Sequence, residues 1–468
     1  MKEYYLAVDI GASSGRHILC HIEDGQMKLE EIYRFQNNVV LKGNHYCWDL
    51  DSIFQNIQNG IKECVKQNKI PKTMGIDTWA VDYVLLNDNG QKVDKTYAYR
   101  DIRNEKGCHV VLDKISQEEL YQRTGIQFQK FNTIFQLKSH EENVLNNTKD
   151  YLMVPDFFHY LLTGKKVNEY TNLSTTQLLN IKDNQLDEEL LEQFNINKDI
   201  FQDIVMPSTS IGYLSEDMQK ILGCNIEVVV PATHDTGSAY MAAIETDSII
   251  ISSGTWSLLG IETKTPIVSE LSMKANFTNE GGYDYRYRFL KNIMGLWIIQ
   301  EVARELNGQY SFAELVNQAR TNPCLSVIDV NDERFLKPQN MIQEIKDYCL
   351  ENELEVPETV GEIAYVVYHS LACCYRDAIE ELEQITNKQY KVINIIGGGC
   401  QNELLNEMIA SQCDKQVVVG PIEATAIGNI TAQLLQQGVV KDINQARTMI
   451  KQSFDIKIYG GKENGSKI

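Results

Sequence analysis

The chain has 468 residues, with 44 Lys and Arg against 64 Asp and Glu, for a formal charge of −20. At about 100–200 residues per domain the length predicts two to four domains, and 43% hydrophobic with 23% charged residues excludes wholesale disorder. No run approaches the ~20 consecutive apolar residues of a membrane span, the apolar start in MKEYYLAVDIG meets Asp9 too early for a signal peptide, and no Lys/Arg block offers a nucleic-acid backbone its counter-charge. A cytosolic protein with neither a membrane nor a nucleic-acid partner is therefore expected. The 11 cysteines, an odd number without a Cys-x-x-Cys pair, fit a reducing compartment and suggest neither a disulfide framework nor a zinc ribbon.

The opening reads as strands and tight turns. Tyr4 to Ile10 is an apolar run, GASSG (Gly11 to Gly15) follows, and Arg16 to Ile22 is a second run. Asp24-Gly25 signals a hairpin, with Met27 to Phe35 as the third strand. Ile53, Ile57 and Ile61 repeat every four residues, which predicts a helix from about Asp51 to Lys69. Short strands are expected at Met74 to Asp77 and Asp82 to Leu86, and a mostly helical stretch from Ser116 to about Leu222. Near residue 245 the style of the opening returns: a β-rich run Asp247 to Ser252, then SSGT, then an apolar run Trp256 to Glu262. The end alternates, with a strand Val392 to Ile396 entering Gly397-Gly398-Gly399, a helix from Asn402, a strand Gln416 to Val419 and a helix Glu423 to Gln437. Two strand–glycine–strand hairpins half a chain apart suggest an α/β protein of two related lobes with a cleft between them, 1–243 and 244–468, joined near residues 240–247.

The glycine loops are the first candidates for chemistry. In GASSG the Gly and Ser residues let a turn aim N–H groups and hydroxyls at one spot, an anion nest, although a plain hairpin turn has the same composition. SSGTWS (Ser252 to Ser257) has the same character, so the pair could clamp a polyphosphate. The glycines at 397–399 sit at a strand end before a helix, where a nucleotide could lie on bare backbone. The Gly-Lys-Ser/Thr ending of the Walker loop is absent. The dinucleotide fingerprint fails where GGGCQN carries Asn402.

Four carboxylates fall on or beside strand ends: Asp9, Asp77, Asp82 and Asp235. Phosphoryl transfer to a hydroxyl needs one carboxylate to hold Mg2+ or its waters and another to take the hydroxyl proton. Asp9 beside the first loop suits the metal, and Asp235 in PATHDTGSA suits the base, while capping or turn duty is the ordinary alternative for any loop Asp. His17 and His21 have a metal-like spacing, but on a strand they stand about 13 Å apart, too far to share an ion. Trp79, Trp256 and Trp297 read as core or as an aromatic face for a sugar.

Taken together, DIGASSGR (9–16), GIDTWAVDY (75–83), YRD (99–101), PATHDTGSA (231–239), SSGTWSLLG (252–260), NEGG (279–282), RFLKNIMGLW (288–297), GGGCQNELLN (397–406) and GPIEATAIGN (420–429) closely resemble the FGGY carbohydrate kinases of the actin, hexokinase and chaperone-ATPase superfamily. The resemblance runs from residue 4 to about 455. It implies two ribonuclease-H-like lobes, the actin-like ATPase arrangement with a central cleft, the first lobe mainly for sugar and the second mainly for ATP. DTWAVD, THDT and LKNIMGLW set this group apart from the glycerol and xylulose branches, which implies L-rhamnulose as the sugar, phosphorylated on O1. L-fuculose, D-xylulose and sugar-independent ATP turnover are the alternatives.

Residue by residue, the resemblance implies Ala12, Ser13, Ser14, Gly15 and Arg16 around the terminal phosphates of ATP, with Asp9 near Mg2+ through water. Thr255 matches the second phosphate-loop contact, Gln300 a nucleotide-facing position and Gly398 part of the adenosine site. Asp235 matches the proton acceptor, His234 and Thr236 flank the sugar, Trp79, Ala80 and Asp82 line its pocket, and Asn292 faces a ligand. A monomer or weak homo-oligomer is expected. Two departures stand out: Ala80 where the family commonly has Gly, and a short polar tail, GGKENGSKI, where a closing helix is expected.

Overall fold

The computed structural model describes residues 2–460. The tail beyond Gly460 lies outside the described residues. The chain forms two compact units. One holds 2–242 with Glu262–Phe289 and Thr425–Ser453; the other holds Ala243–Ile261, Leu290–Ala424 and 454–460. A division into 1–243 and 244–468 follows chain order, and the compact units differ from it by assigning 262–289 and 425–453 to the first.

The first unit is built on a six-stranded sheet in the order Thr209–Tyr213, Glu227–Val230, Thr73–Thr78, Tyr4–Ile10, Ser14–Glu23, Gln26–Gln36. The last three form the expected antiparallel meander. Tyr4–Ile10 also pairs in parallel with Thr73–Thr78, which pairs in parallel with Glu227–Val230. Central strands covered on both faces read as continuous apolar runs, and Thr73–Thr78 is buried throughout. The helix Leu50–Lys66 starts on an Asp49 cap and buries Ile53, Ile57 and Ile61. It stops short of Lys69 because Asn68 takes a left-handed turn.

The 116–222 stretch departs from the helical expectation. Its helices, among them Gln117–Thr124, Val154–Thr163 and Glu216–Leu222, are interleaved with short strands. Asp150–Met153 pairs with Tyr83–Leu86, and Asn168–Glu169 with Ile204–Val205. These pairs join residues tens of positions apart, so no local period announces them.

In the second unit the strand order runs Tyr287–Met294, Trp256–Thr263, Ile249–Ser253, Val392–Ile396, Gln416–Val419, Lys457–Tyr459. Ile249–Ser253 is antiparallel to Trp256–Thr263 and parallel to Val392–Ile396, which is parallel to Gln416–Val419. A glycine hairpin followed by a parallel pair thus occurs in both units. Among the described residues no helix is long and apolar enough to cross a membrane.

Candidate active site

Register brings the first unit's carboxylates to neighbouring strand ends. Asp9 lies opposite Asp77 in the parallel pair. One residue on, the Thr78 amide donates to the Thr233 carbonyl (2.9 Å), so the PATHD segment continues the same edge. Asp9 is buried and receives Arg16 Nη2 at 2.9 Å, across the hairpin. Asp77 is fully buried; its Oδ2 accepts from Asn429 Nδ2 at 2.6 Å, whereas its Oδ1 has no hydrogen-bond partner. Burial, followed by the Asp9 charge, pushes the Asp77 carboxyl well above its ordinary range against the Asn429 bond.

The GASSG loop is a tight hairpin. Gly11 N–H donates to the Ser14 carbonyl, and Asn37 holds the loop through the Gly11 and Ser13 carbonyls. Ala12 and Ser13 are exposed, Ser14 and Arg16 half-buried. Gly15 is required by packing, since a Cβ there would lie 2.2 Å from the Phe35 ring.

Asp82 lies in the interior of the first unit. It is fully buried, and its Oδ2 accepts from Trp48 Nε1 (2.6 Å), Trp79 Nε1 (2.9 Å) and the Tyr99 amide (3.1 Å), its Oδ1 from Gln136 Nε2 (2.9 Å). Its carboxylate is spent on holding indoles. Trp48 and Trp79 pack with ring centroids 4.0 Å apart. Burial raises the Asp82 carboxyl to about 6 against its four hydrogen bonds. Between Trp79 and Asp82 the chain makes a three-residue turn: the Asp82 amide donates to the Ala80 carbonyl (2.9 Å), with Val81 at φ 65°. A β-branched residue seldom adopts that conformation. Thr133 Oγ1, donating to the Val81 carbonyl at 2.7 Å, helps to hold it. Ala80 is half-buried in this turn.

Asp235 is the first residue of the helix Asp235–Met241. Its Oδ1 accepts from the Thr236 amide (2.6 Å) and Thr236 Oγ1 (3.1 Å), and His234 Nε2 stands 3.4 Å away. The side chain is 34% exposed, the most open of the four carboxylates. Behind it, buried Glu169 accepts from the Thr233 amide and hydroxyl and from Thr171, pinning the segment that presents His234 and Asp235.

The second unit carries the remaining candidates. Thr255 Oγ1 donates to Gln300 Oε1 at 3.1 Å, and the Leu296 and Trp297 amides donate to the Gly254 and Thr255 carbonyls. The SSGT loop is thereby fixed to the start of the helix Trp297–Glu305. Gly399 packs so closely that a Cβ would meet Ser253 Oγ at 2.2 Å, while Gly398 is exposed with open space before it. Asn292, on Tyr287–Met294, keeps a buried Oδ1 without a hydrogen-bond partner.

Comparison with known proteins decides the family. The N-terminal domain of the FGGY family of carbohydrate kinases matches residues 4–242 and its C-terminal domain residues 249–436. The chain belongs to the FGGY carbohydrate kinases. This FGGY kinase is 49% identical over 460 residues to a protein of Halalkalibacterium halodurans named rhamnulokinase, covering 97% of this chain and 98% of the relative. Rhamnulokinases of Oceanobacillus iheyensis (48% identity, 98% of each chain) and Bacillus subtilis (43%, 98% of this chain and 96% of the other) are similar to it as well. Among solved structures, a gluconate kinase from Lactobacillus acidophilus superposes with a TM-score of 0.81 at 17% identity, covering 98% of this chain and 94% of the other. Plasmodium falciparum glycerol kinase with ADP gives 0.79 at 16%, with the same coverage. The architecture is thus the α/β, two-lobed actin-like ATPase fold of sugar kinases.

Sequence reasoning passed over four residues of the candidate site. Trp48 and Glu169 lie outside the glycine loops and have only their tertiary partners to mark them. Glu280 and Arg288 stand in the quoted NEGG and RFLK motifs, but strand periodicity hides that both reach His234.

Proposed function

We propose that this chain transfers the γ-phosphoryl group of ATP to O1 of L-rhamnulose, giving L-rhamnulose 1-phosphate and ADP. The observation that carries the reading is likeness along nearly the whole chain, at 43% to 49% identity, to proteins named rhamnulokinase. The acceptor side rests on Asp235. Two Thr236 donors hold its Oδ1, and its Oδ2 accepts no hydrogen bond among the described residues. Oδ2 is therefore the oxygen that takes the O1 proton as O1 bonds to phosphorus and the bond to the ADP oxygen breaks. Trp79 gives the sugar an apolar wall, Asp82 orients that wall through the indole N–H, and Ala80 narrows the turn where the family commonly has Gly. His234 and Thr236 supply polar contacts on either side of the base, and Asn292 offers a further polar group.

On the nucleotide side, Ala12 to Arg16 and Thr255 hold phosphate oxygens, Gln300 orients Thr255, and Gly398 lies against adenosine. The residues fit Mg2+. Asp9 is a hard oxygen donor at the phosphate loop and Asp77 Oδ1 is an orphaned oxygen beside it, while among the described residues no group of three or more ligating side chains forms a cage. That suits an ion which keeps waters and phosphate oxygens around it. Asp9 would hold it through water, and when bound it neutralises phosphate charge. The cysteines are free thiols, as a cytosolic enzyme requires.

The test is ADP release with Mg2+-ATP across L-rhamnulose, L-fuculose, D-xylulose, glycerol and no sugar. Preference for L-rhamnulose supports the reading. Preference for another ketose keeps the mechanism and overturns the substrate, and sugar-independent turnover overturns both.

A further inference from the structure

We propose that Arg288 is a positioning residue that fixes the protonation state of His234, so that its ring presents a permanent Nε2–H donor beside the catalytic carboxylate. This rests on the reading of Asp235 as the base but is read out independently of activity.

Arg288 is fully buried on the strand Tyr287–Met294. Its Nε donates to the Gly281 carbonyl at 2.9 Å, which locks the guanidinium plane, and its Nη2 lies 2.9 Å from His234 Nδ1. A guanidinium has only donors and keeps its proton in proteins. Nδ1 must therefore meet it with a lone pair. The single proton of the neutral ring then sits on Nε2, the nitrogen 3.4 Å from Asp235 Oδ1.

Glu280 is the competitor that makes Arg288 necessary. Its Oε2 lies 3.4 Å from the same Nδ1 and 3.1 Å from Arg288 Nη2, and it accepts no hydrogen bond. Without the arginine, a buried carboxylate facing Nδ1 would draw a proton there. That would either strip Nε2 of its hydrogen or charge the ring. The shorter contact, from a group that can only donate, decides which partner Nδ1 serves. The charged groups around the ring are Asp235 on its own helix, Glu280 on Thr278–Gly281 and Arg288. Glu169 lies behind, through Thr171, and Asp77 is on the adjoining strand. Four of these five are carboxyl groups, and Arg288 is the donor-only side chain among them.

For catalysis, a fixed Nε2–H leaves Asp235 Oδ1 facing donors alone and reserves Oδ2 for the hydroxyl proton.

The decisive measurement is 15N NMR of the full chain labelled at histidine, with His234 assigned by its loss in His234→Asn among the eight histidines. The expected result at pH 8 is the neutral Nε2–H tautomer. A proton on Nδ1 overturns the proposal. The wild-type spectrum needs no variant at Arg288 to fold. The second arm compares Arg288→Lys with Arg288→Met. Lysine, another donor-only side chain, should keep the ring proton on Nε2. Methionine should let it move to Nδ1, toward Glu280. The same tautomer in both variants would also overturn the proposal. Failure of the sugar panel would leave the tautomer result standing, so the two readings fail separately.

Discussion

Asp82 offers the sharpest quantitative test, because one buried carboxylate satisfies four N–H donors. Hydrogen bonds to charged groups contribute about 1.5–3 kcal/mol each, and an orphaned buried donor costs about 1–3 kcal/mol. Asp82→Ala orphans Trp48, Trp79, Tyr99 and Gln136 together, a loss on the order of 4–8 kcal/mol that rivals the whole stability of a domain. Asp82→Asn keeps one acceptor and is the useful variant. The carboxyl is raised to about 6 by burial. The unfolded chain therefore gives up this proton near pH 4 while the native state holds it until about pH 6. Native stability falls as pH rises through that window, by about 3 kcal/mol in all at 1.36 kcal/mol per unit. Asparagine does not titrate. The destabilisation by Asp82→Asn should thus be larger at pH 4.5 than at pH 8, by roughly 2 kcal/mol. Urea denaturation followed by tryptophan fluorescence at the two pH values measures it. Equal losses at both would refute the raised carboxyl. The same variant should raise the sugar KM several-fold through a loosened Trp79 and leave the ATP KM alone; an unmoved sugar KM would remove the indole pair from the sugar pocket.

Asp235→Asn should bind sugar and ATP normally by calorimetry and lose about a hundredfold or more in kcat; near-normal turnover would end its assignment as base. Gly398→Val adds a side chain into open space, so urea midpoints should stay within about 0.5 kcal/mol while the ATP KM rises, and an unchanged ATP KM would move adenosine elsewhere. His159 is buried, accepts from the Ile76 amide through Nε2 and has its pKa lowered to about 3 by burial. The unfolded chain protonates this side chain first, so its contribution is full above about pH 6.5 and is lost as the medium is acidified toward pH 3. His159→Gln, which retains an acceptor, should flatten that part of the acid unfolding curve.

Much of the architecture was legible in order along the chain. The runs at 4–10 and 392–396 became strands because largely apolar runs suit a sheet covered on both faces, and the isoleucine repeat at 53, 57 and 61 became the buried stripe of a helix. The short strands at 150–153 and 204–205 were not legible, since their partners at 83–86 and 168–169 are remote and two to four residues carry no period.

By itself, then, the sequence determined the strand–glycine–strand openings, the order of the motifs and the identity of the carboxylates, because backbone preference and side-chain chemistry are local properties. Only tertiary structure decided the surroundings of each carboxylate. Asp9 and Asp77 share an edge through parallel register, Asp82 is turned inward by two indoles and an amide, and Asp235 keeps one oxygen without a hydrogen bond among the described residues. Arg288 meets His234 across 54 positions of chain. A charge acquires its role from the donors and low-dielectric surroundings that packing brings to it, and neither can be read from the residues on either side.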